Sequence, residues 1–377
     1  MELRFLDSLE EIPATTWNAL AGIDHPFTRH EFLAALERHG CAGPEFGWRP
    51  HHAVLYRDGE ALAAAPFYLK SNSYGELVFD HAWADAYRRH GLDYYPKLVN
   101  AVPYTPATGP RLLLAAGADR SVAEALVHGI IEACERHGIS GAHWLFPRPE
   151  AMALFTGAGL IPRLGCQFHW NNPGYRDFED FLDTFSAAKR KKVNRERRRV
   201  RDQRVEIEVV RGDRADESQW AQMDAFYRRT FDDKYGVPTL NLGFFLEVAE
   251  RMGEQALLVF ARHEGRTVAG ALNFMSGDTL YGRHWGTTGD YHSLHFEVCY
   301  YQGIEYCIRA GLRSFEPGAQ GEYKVSRGFV PTATWSAHWI RDPAFRAAIE
   351  RHTRQEQAYV EAYMAEMNAS APYKNII

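Results

Sequence analysis

Between Phe315 and Phe329 the chain gathers Glu316, Gln320, Glu322, Tyr323, Lys324 and Arg327 around Gly318, Gly321 and Gly328. Glu316 and Glu322 can accept a proton, as can His284 upstream. Lys324 offers a point charge, and Arg327 a planar fork, to an oxyanion or a phosphate. Glycines in a polar loop leaving a strand let the backbone approach a ligand closely. A turn-rich surface loop would share this composition, but so many ionisable groups together favour a site.

A second concentration of charge is the run Lys189 to Arg204, with ten Lys/Arg against Glu196 and Asp202. The 377-residue chain has net charge −5, so one strongly basic segment sits in an otherwise acidic protein. That asymmetry indicates a local anionic contact, not general nucleic-acid coating. Lys191, Lys192 and Arg195 are expected to hold phosphates, with a solvated helix face as the alternative. His292 and His295 form an H-x-x-H without a third ligand motif, so no metal site is expected. No phosphate-binding loop or nucleophile elbow is visible, which argues against covalent catalysis. The five cysteines form no Cys-x-x-Cys pair, reading as reduced thiols and a cytoplasmic location. Glu2 and Arg4 precede no apolar h-region, so no secretory signal is expected, and no apolar run reaches the roughly 18–20 residues of a membrane span.

The reactive loop must be placed by what precedes it. Phe296, Cys299, Tyr300, Gly303, Ile304, Cys307 and Ile308 recur with a 3.6-residue period, predicting a helix over 295–310 that stops at Gly311 and is followed by a strand at 313–316. Glu297, Tyr301, Glu305 and Arg309 then fall on its outer face, with Glu305 and Arg309 as a surface pair. Upstream, strands at 257–262 and 267–274 flank Glu264-Gly265, and a third runs over 279–286. The first half has the same order. A strand at 2–6 precedes helices at 10–20 and 29–39, strands at 53–56 and 61–68 flank Asp58-Gly59, a Ser121–Glu124 capping box opens a helix ending at Gly138, and a strand follows at 143–146. Val54-Leu-Tyr-Arg-Asp-Gly59 echoes Val259-Phe-Ala-Arg-His-Glu-Gly265. These echoes predict an internal duplication, an α/β (α+β) fold with mixed sheets in domains 1–172 and 173–377. An aromatic insertion at 74–111 lengthens the first domain. Its Tyr94, Tyr95 and Tyr104 are candidates for core or for a substrate cleft, with Trp285, Gln320 and Tyr323 as further cleft residues. The second domain carries the basic helix 187–203, capped by Ser186, and a C-terminal helix 343–367 opened by Asp342-Pro343.

Strand, two helices, three antiparallel strands, helix, strand resembles the GNAT acyltransferase fold. Two such units in tandem resemble the Fem-type aminoacyltransferases of peptidoglycan synthesis. The similarity is carried by Phe185 to Arg204 and by Gly321-Glu-Tyr-Lys-Val-Ser-Arg-Gly-Phe329, which looks like the closing motif of that group. With Tyr94-Tyr-Pro-Lys-Leu98 and Ser336-Ala-His-Trp339, the wording is most similar to a predicted N-acyltransferase branch of peptidoglycan biosynthesis or recognition. The resemblance implies direct acyl transfer to an amine, with Lys324, Glu322, Glu316 and His284 in the chemistry and Arg327, Lys191, Lys192, Arg195, Gly286 and Gly289 on the donor. No tightly bound cofactor is implied, the acyl donor being a co-substrate. Acetyl-CoA-using members carry Q/R-x-x-G-x-G/A after the third strand, whereas Gly286-Thr-Thr-Gly-Asp-Tyr-His-Ser-Leu294 lacks that pattern. An aminoacyl-tRNA donor is therefore expected first and an acyl-CoA second, with non-catalytic recognition of cell-wall precursors as a third reading.

Overall fold

The computed structural model describes residues 1–232, 236–319 and 321–374. The chain divides into two units, Met1–Cys166 with Ala333–Ala362, and Gln167–Thr332 with the segment from Tyr363 on.

In the first unit β1 (Glu2–Leu6), α1 (Ala14–Ala21) and α2 (His30–Arg38) precede β2 (Trp48–Pro50), β3 (His52–Arg57), β4 (Glu60–Ala65) and β5 (Phe67–Lys70). Then come α3 (His81–Arg89), β6 (Lys97–Asn100), β7 (Leu113–Leu114), α4 (Arg120–Arg136), β8 (Gly141–Leu145) and α5 (Met152–Gly157), and β9 (Ile161–Asn171) leads out of it. Asp58 and Gly59 both have positive φ (53° and 86°), the left-handed pair that joins β3 to β4 in a tight hairpin. The strands are broken in the middle. Pro66, with no N–H to give, separates β4 from β5, so that β4 pairs with β3 and β7 while β5 pairs with β2 and β6. β6 runs parallel to β8, as the crossover through α4 requires. β8 is completed by Ser336–Ile340 of β15 (Val330–Ile340), antiparallel. Leu126, Ile130, Trp144, Phe155 and Trp339 are buried in the core beneath.

The second unit contains α6 (Phe178–Asp183), α7 (Ala187–Asp202), β10 (Glu206–Arg211), α8 (Glu217–Asp232), α9 (Leu242–Met252), β11 (Ala256–His263), β12 (Arg266–Met275) and β13 (Thr279–Thr287). The three-residue turn α10 (Leu294–Phe296), a π-helical turn Glu297–Tyr301 and α11 (Gln302–Ala310) form one continuous helix before β14 (Ser314–Glu316). The last turns of α12 (Pro343–Ala369) also belong here. Its strand order is β10-β11-β12-β13-β14-β9.

Both units share one order of six strand positions, as a duplication requires. β1, β2/β3, β4/β5, β6/β7, β8 and β15 in the first stand where β10, β11, β12, β13, β14 and β9 stand in the second. The expected insertion is two excursions, residues 71–96 between β5 and β6 and residues 101–112 between β6 and β7. Three expectations are corrected. The chain returns to the first unit at Ala333, so β15 and most of α12 do not belong with 173–377. The cap of α4 is Asp119, whose carboxylate accepts from Val122 N at 3.3 Å, and not Ser121. Glu305 pairs with Arg197 of α7, not with Arg309.

Candidate active site

Parallel pairing of β13 with β14 lasts three residues, Thr279–Tyr281 against Ser314–Glu316. β14 then ends at Pro317, which has no N–H to continue the ladder, while β13 runs on beside β12 to Thr287. The strands part, and a cavity of about 280 Å³ opens in the gap. Gly282, Arg283, His284 and Trp285 of β13 line it with Pro317, Cys299 and Tyr300 of the π turn, His295, and Tyr227, Thr230 and Phe231 of α8. A π turn inserts one residue into the helical ladder and often marks a functional position.

Burial sets the charge states here. His284, its ring 4.8 Å from that of Tyr227, is held well below the usual imidazole range by desolvation and by Arg283, so it is neutral at physiological pH. Desolvation pushes Arg283 down to about 10, with Tyr227 and Glu316 opposing the shift. It also pushes the Cys299 thiol up, which removes it as a thiolate.

The loop after β14 is a 3-10 helix, Glu322–Arg327, which has three residues per turn. Residues three apart therefore share a face, and Lys324 and Arg327 are both buried while Glu322 is exposed. Glu322 accepts from the Tyr363 hydroxyl at 3.0 Å. Lys324 donates to the Gly318 carbonyl at 2.7 Å, and desolvation pushes its pKa down to about 8, the neighbouring Cys299 opposing. It does not line the cavity. Arg327 is held by both oxygens of Glu196 (2.7 and 3.1 Å) and by Tyr323 O (2.6 Å), with its guanidinium 3.3 Å from the centre of the Phe296 ring. It anchors the loop and is not placed for a donor phosphate. Its carboxylate partner is Glu196, while Glu316 stands opposite Tyr281 in the strand ladder. Tyr323 is exposed, and its hydroxyl accepts from Tyr300 at 3.3 Å. Gln320 lies outside the described residues.

Gly286 serves packing. A Cβ there would stand 2.0 Å from Phe226 O of α8. Gly286→Ala is therefore expected to push α8 off β13, costing about 1–3 kcal/mol or more in chemical denaturation. An unchanged denaturation midpoint would refute this close approach. Gly289 N is taken by Thr287 Oγ1 at 3.3 Å, so this turn is closed on itself.

The basic helix α7 has two sides. Val193, Glu196 and Val200 face inward and are buried. Glu196 accepts from the Tyr301 hydroxyl as well as from Arg327, which ties the π turn to the closing loop. Arg197 reaches Glu297 (2.9 Å) and Glu305 (2.8 Å), also bracing the π turn. Lys192 donates to Ser326 Oγ at 3.1 Å. Outward, Lys191, Arg195 and Arg198 are exposed, form one stripe at i, i+4, i+7, and engage no acid among the described residues. Glu196, Arg197 and Glu297 were not expected as site-building residues. The available signal was Glu196 itself, an acid one turn from Val193 on the apolar side of a basic helix.

Tyr94, Tyr95 and Tyr104 lie in the first unit and do not line this cavity. Tyr94 is buried in the core with its hydroxyl on Asp80 (2.6 Å), and the half-buried Tyr104 donates to Cys41 O (2.9 Å). The half-buried Tyr95 bonds Ser73 Oγ at 2.8 Å. Among the described residues no group of three or more His, Cys, Asp or Glu could hold a metal ion, and no helix is long and apolar enough to cross a membrane.

A tandem pair of mixed-sheet units with a cavity at the parting of two parallel strands defines a class, and comparison with known proteins places the chain within it. The profile of the FemAB-like family, described as peptidoglycan biosynthesis/recognition, matches residues 8–375, and the chain belongs to that family. Among solved structures, FemX is similar at 12% identity, covering 93% of this chain and 100% of its own, with a TM-score of 0.54. The C-terminal domain of a putative lysylphosphatidylglycerol synthetase from Agrobacterium fabrum is similar at 12% identity over 90% and 94% of the two chains, with a TM-score of 0.54. L-PGS from Bacillus licheniformis is similar at 13% identity over 87% and 96%, with a TM-score of 0.51. These likenesses establish the shared fold. No curated protein matches the sequence.

Proposed function

We propose that the chain is an N-acyltransferase that moves an aminoacyl group from a charged tRNA directly to an amine of a peptidoglycan precursor. The observation that carries this reading is α7. It presents Lys191, Arg195 and Arg198 outward without acidic partners, and through Glu196 and Arg197 it braces the π turn and the closing loop around the cavity. That arrangement suits a donor whose polyanionic part binds outside while its acyl end enters the gap. In the transfer, the amine nitrogen forms the amide bond as the ester bond to the ribose oxygen breaks. The neutral His284 can accept a hydrogen bond from the amine N–H and pass its proton to the departing ribose oxygen, since burial and Arg283 disfavour a resting imidazolium. The closed turn at Gly289 and the packed Gly286 disfavour a pyrophosphate cradle there, and so an acyl-CoA donor.

The test offers labelled aminoacyl-tRNA and labelled acyl-CoA to the protein with an amine-bearing peptidoglycan precursor. Label is expected to move from tRNA only, with a salt-dependent binding constant. Alanine at Lys191, Arg195 and Arg198 should lower the slope by roughly 0.7–0.9 for each phosphate no longer neutralised. Transfer from acyl-CoA with an unaltered slope in the triple variant would overturn the reading.

A further inference from the structure

Lys70 and Lys97 are cross-strand partners at the ends of β5 and β6, where the excursion 71–96 leaves and returns. The excursion folds back over them. Lys97, fully buried, donates to Ser73 Oγ (3.0 Å), to Glu76 Oε2 (2.7 Å) and to Asp80 Oδ2, which uses all three of its N–H groups. Lys70 is turned to the Tyr74 carbonyl (3.0 Å) and Asn72 (3.4 Å), with its ammonium 3.8 Å from the centre of the Trp48 ring.

Each carboxylate spends one oxygen on Lys97 and keeps the other. Glu76 Oε1 and Asp80 Oδ1 are buried and have no hydrogen-bond partner among the described residues, and both residues are only 4% exposed. A buried acceptor without a donor costs about 1–3 kcal/mol, more for a charged one. Lys97 is the one ammonium in contact with both carboxylates, and with Lys70 pushed down to about 7 by burial the cluster is one positive charge short above neutrality. Ser73 Oγ and the hydroxyl of half-buried Tyr95 complete its polar surface.

We propose that Glu76, Asp80, Ser73 and Tyr95 form a binding site for a primary ammonium group, with Glu76 Oε1 and Asp80 Oδ1 as its acceptors. The second cation balances the charge, and its N–H groups satisfy the two orphaned oxygens. The charge state of the empty cluster agrees. Desolvation pushes Glu76 up to about 7, against the pull of Lys97 and Lys70 and with Asp80 adding to it. Asp80 feels the same desolvation, but Lys97 and His143 outweigh it and hold that carboxyl low. Lys70 is itself pushed down to about 7 by burial. Below neutrality Glu76 therefore carries a proton that an arriving cation displaces, and the ammonium can afterwards return one proton to the same carboxylate as it becomes a free amine. The site does not rest on the acyl-transfer reading, although an amine acceptor is a ligand of this class.

The experiment titrates the whole chain, without donor, with methylammonium chloride and with tetramethylammonium chloride, which has no N–H, by calorimetry in two buffers of different ionisation heat. Methylammonium is expected to bind and to release close to one proton at pH 6 and almost none at pH 8.5. Tetramethylammonium should not bind. Glu76→Gln should weaken methylammonium about tenfold or more and abolish the release. Carbon-13 detection of the Glu76 carboxyl in the wild type, whose midpoint methylammonium should lower, keeps the test valid if the variant does not fold. Equal binding of the two cations, unchanged binding in Glu76→Gln, or an unmoved midpoint would each reduce the cluster to a clamp that pins the excursion.

Discussion

Glu196→Ala is expected to lower the unfolding free energy by roughly 3–5 kcal/mol, because it strands a buried guanidinium. Arg327 is 3% exposed, and both Glu196 oxygens are committed to it. Its stacking on Phe296 and its bond to Tyr323 O leave it no route to water. The Tyr301 hydroxyl, which also donates to Glu196, would lose its acceptor. Arg327→Ala should cost a similar amount for the mirror-image reason, and the double variant much less than the sum of the two. Urea unfolding of all four proteins measures this coupling. A cost below about 1 kcal/mol for either single variant would mean that the ion pair does not hold the loop against α7.

Lys324 lies outside the cavity lining on the Gly318 carbonyl, so it can stabilise a developing oxyanion only by leaving that carbonyl; if it does, Lys324→Ala is expected to reduce transfer by roughly 10²–10³-fold. Its position now makes a stability effect inseparable from that loss, because the Gly318 carbonyl would lose its donor. Lys324→Met keeps the volume and is the fairer comparison. The pH dependence separates the two roles. Below pH 8 lysine is protonated in both folded and unfolded chains, and the fold bears the full cost of the buried charge. Between about 8 and the ordinary 10.5 the unfolded chain binds more protons, so stability rises with pH across that window. The gain should amount to roughly 3 kcal/mol and be absent in Lys324→Met. Full turnover in Lys324→Met would remove this loop from the chemistry, whatever the melting curves show.

Period and turn chemistry made most elements legible. The Glu264-Gly265 and Asp58-Gly59 hairpins, the helix over 295–310 and the Asp342 cap, whose carboxylate accepts from Ala344 N and Phe345 N, could all be read from neighbouring residues. What depends on a single inserted residue or on a change of helical pitch could not. A 3.6-residue stripe survives a π turn, so the displacement of Cys299 and Tyr300 into the cavity left no trace in the pattern. In the closing loop, three residues per turn place Arg327 on the face of Lys324, a pitch that the loop's residue types do not announce. In the excursion 71–96, Lys97 finds its acids 21 and 17 residues upstream, a spacing that no local rule connects. Glu297 and Glu305 were assigned to a solvated face because the chain that covers them, α7, lies about a hundred residues away in sequence.

The last strand of the first unit is made after nearly the whole of the second. His143 of β8 meets His338 of β15 across 195 residues of sequence, and Ser336–Ile340 cannot reach β8 until that length has been synthesised. On the ribosome, Met1–Cys166 therefore emerges with β8 as an open edge bearing unpaired N–H and C=O groups, while Gln167–Thr332 is still being translated. Closure at such a sequence separation is slow and exposes that edge to other chains in the meantime. Order of synthesis and order of completion are reversed here: the unit begun first cannot close until its neighbour has been made.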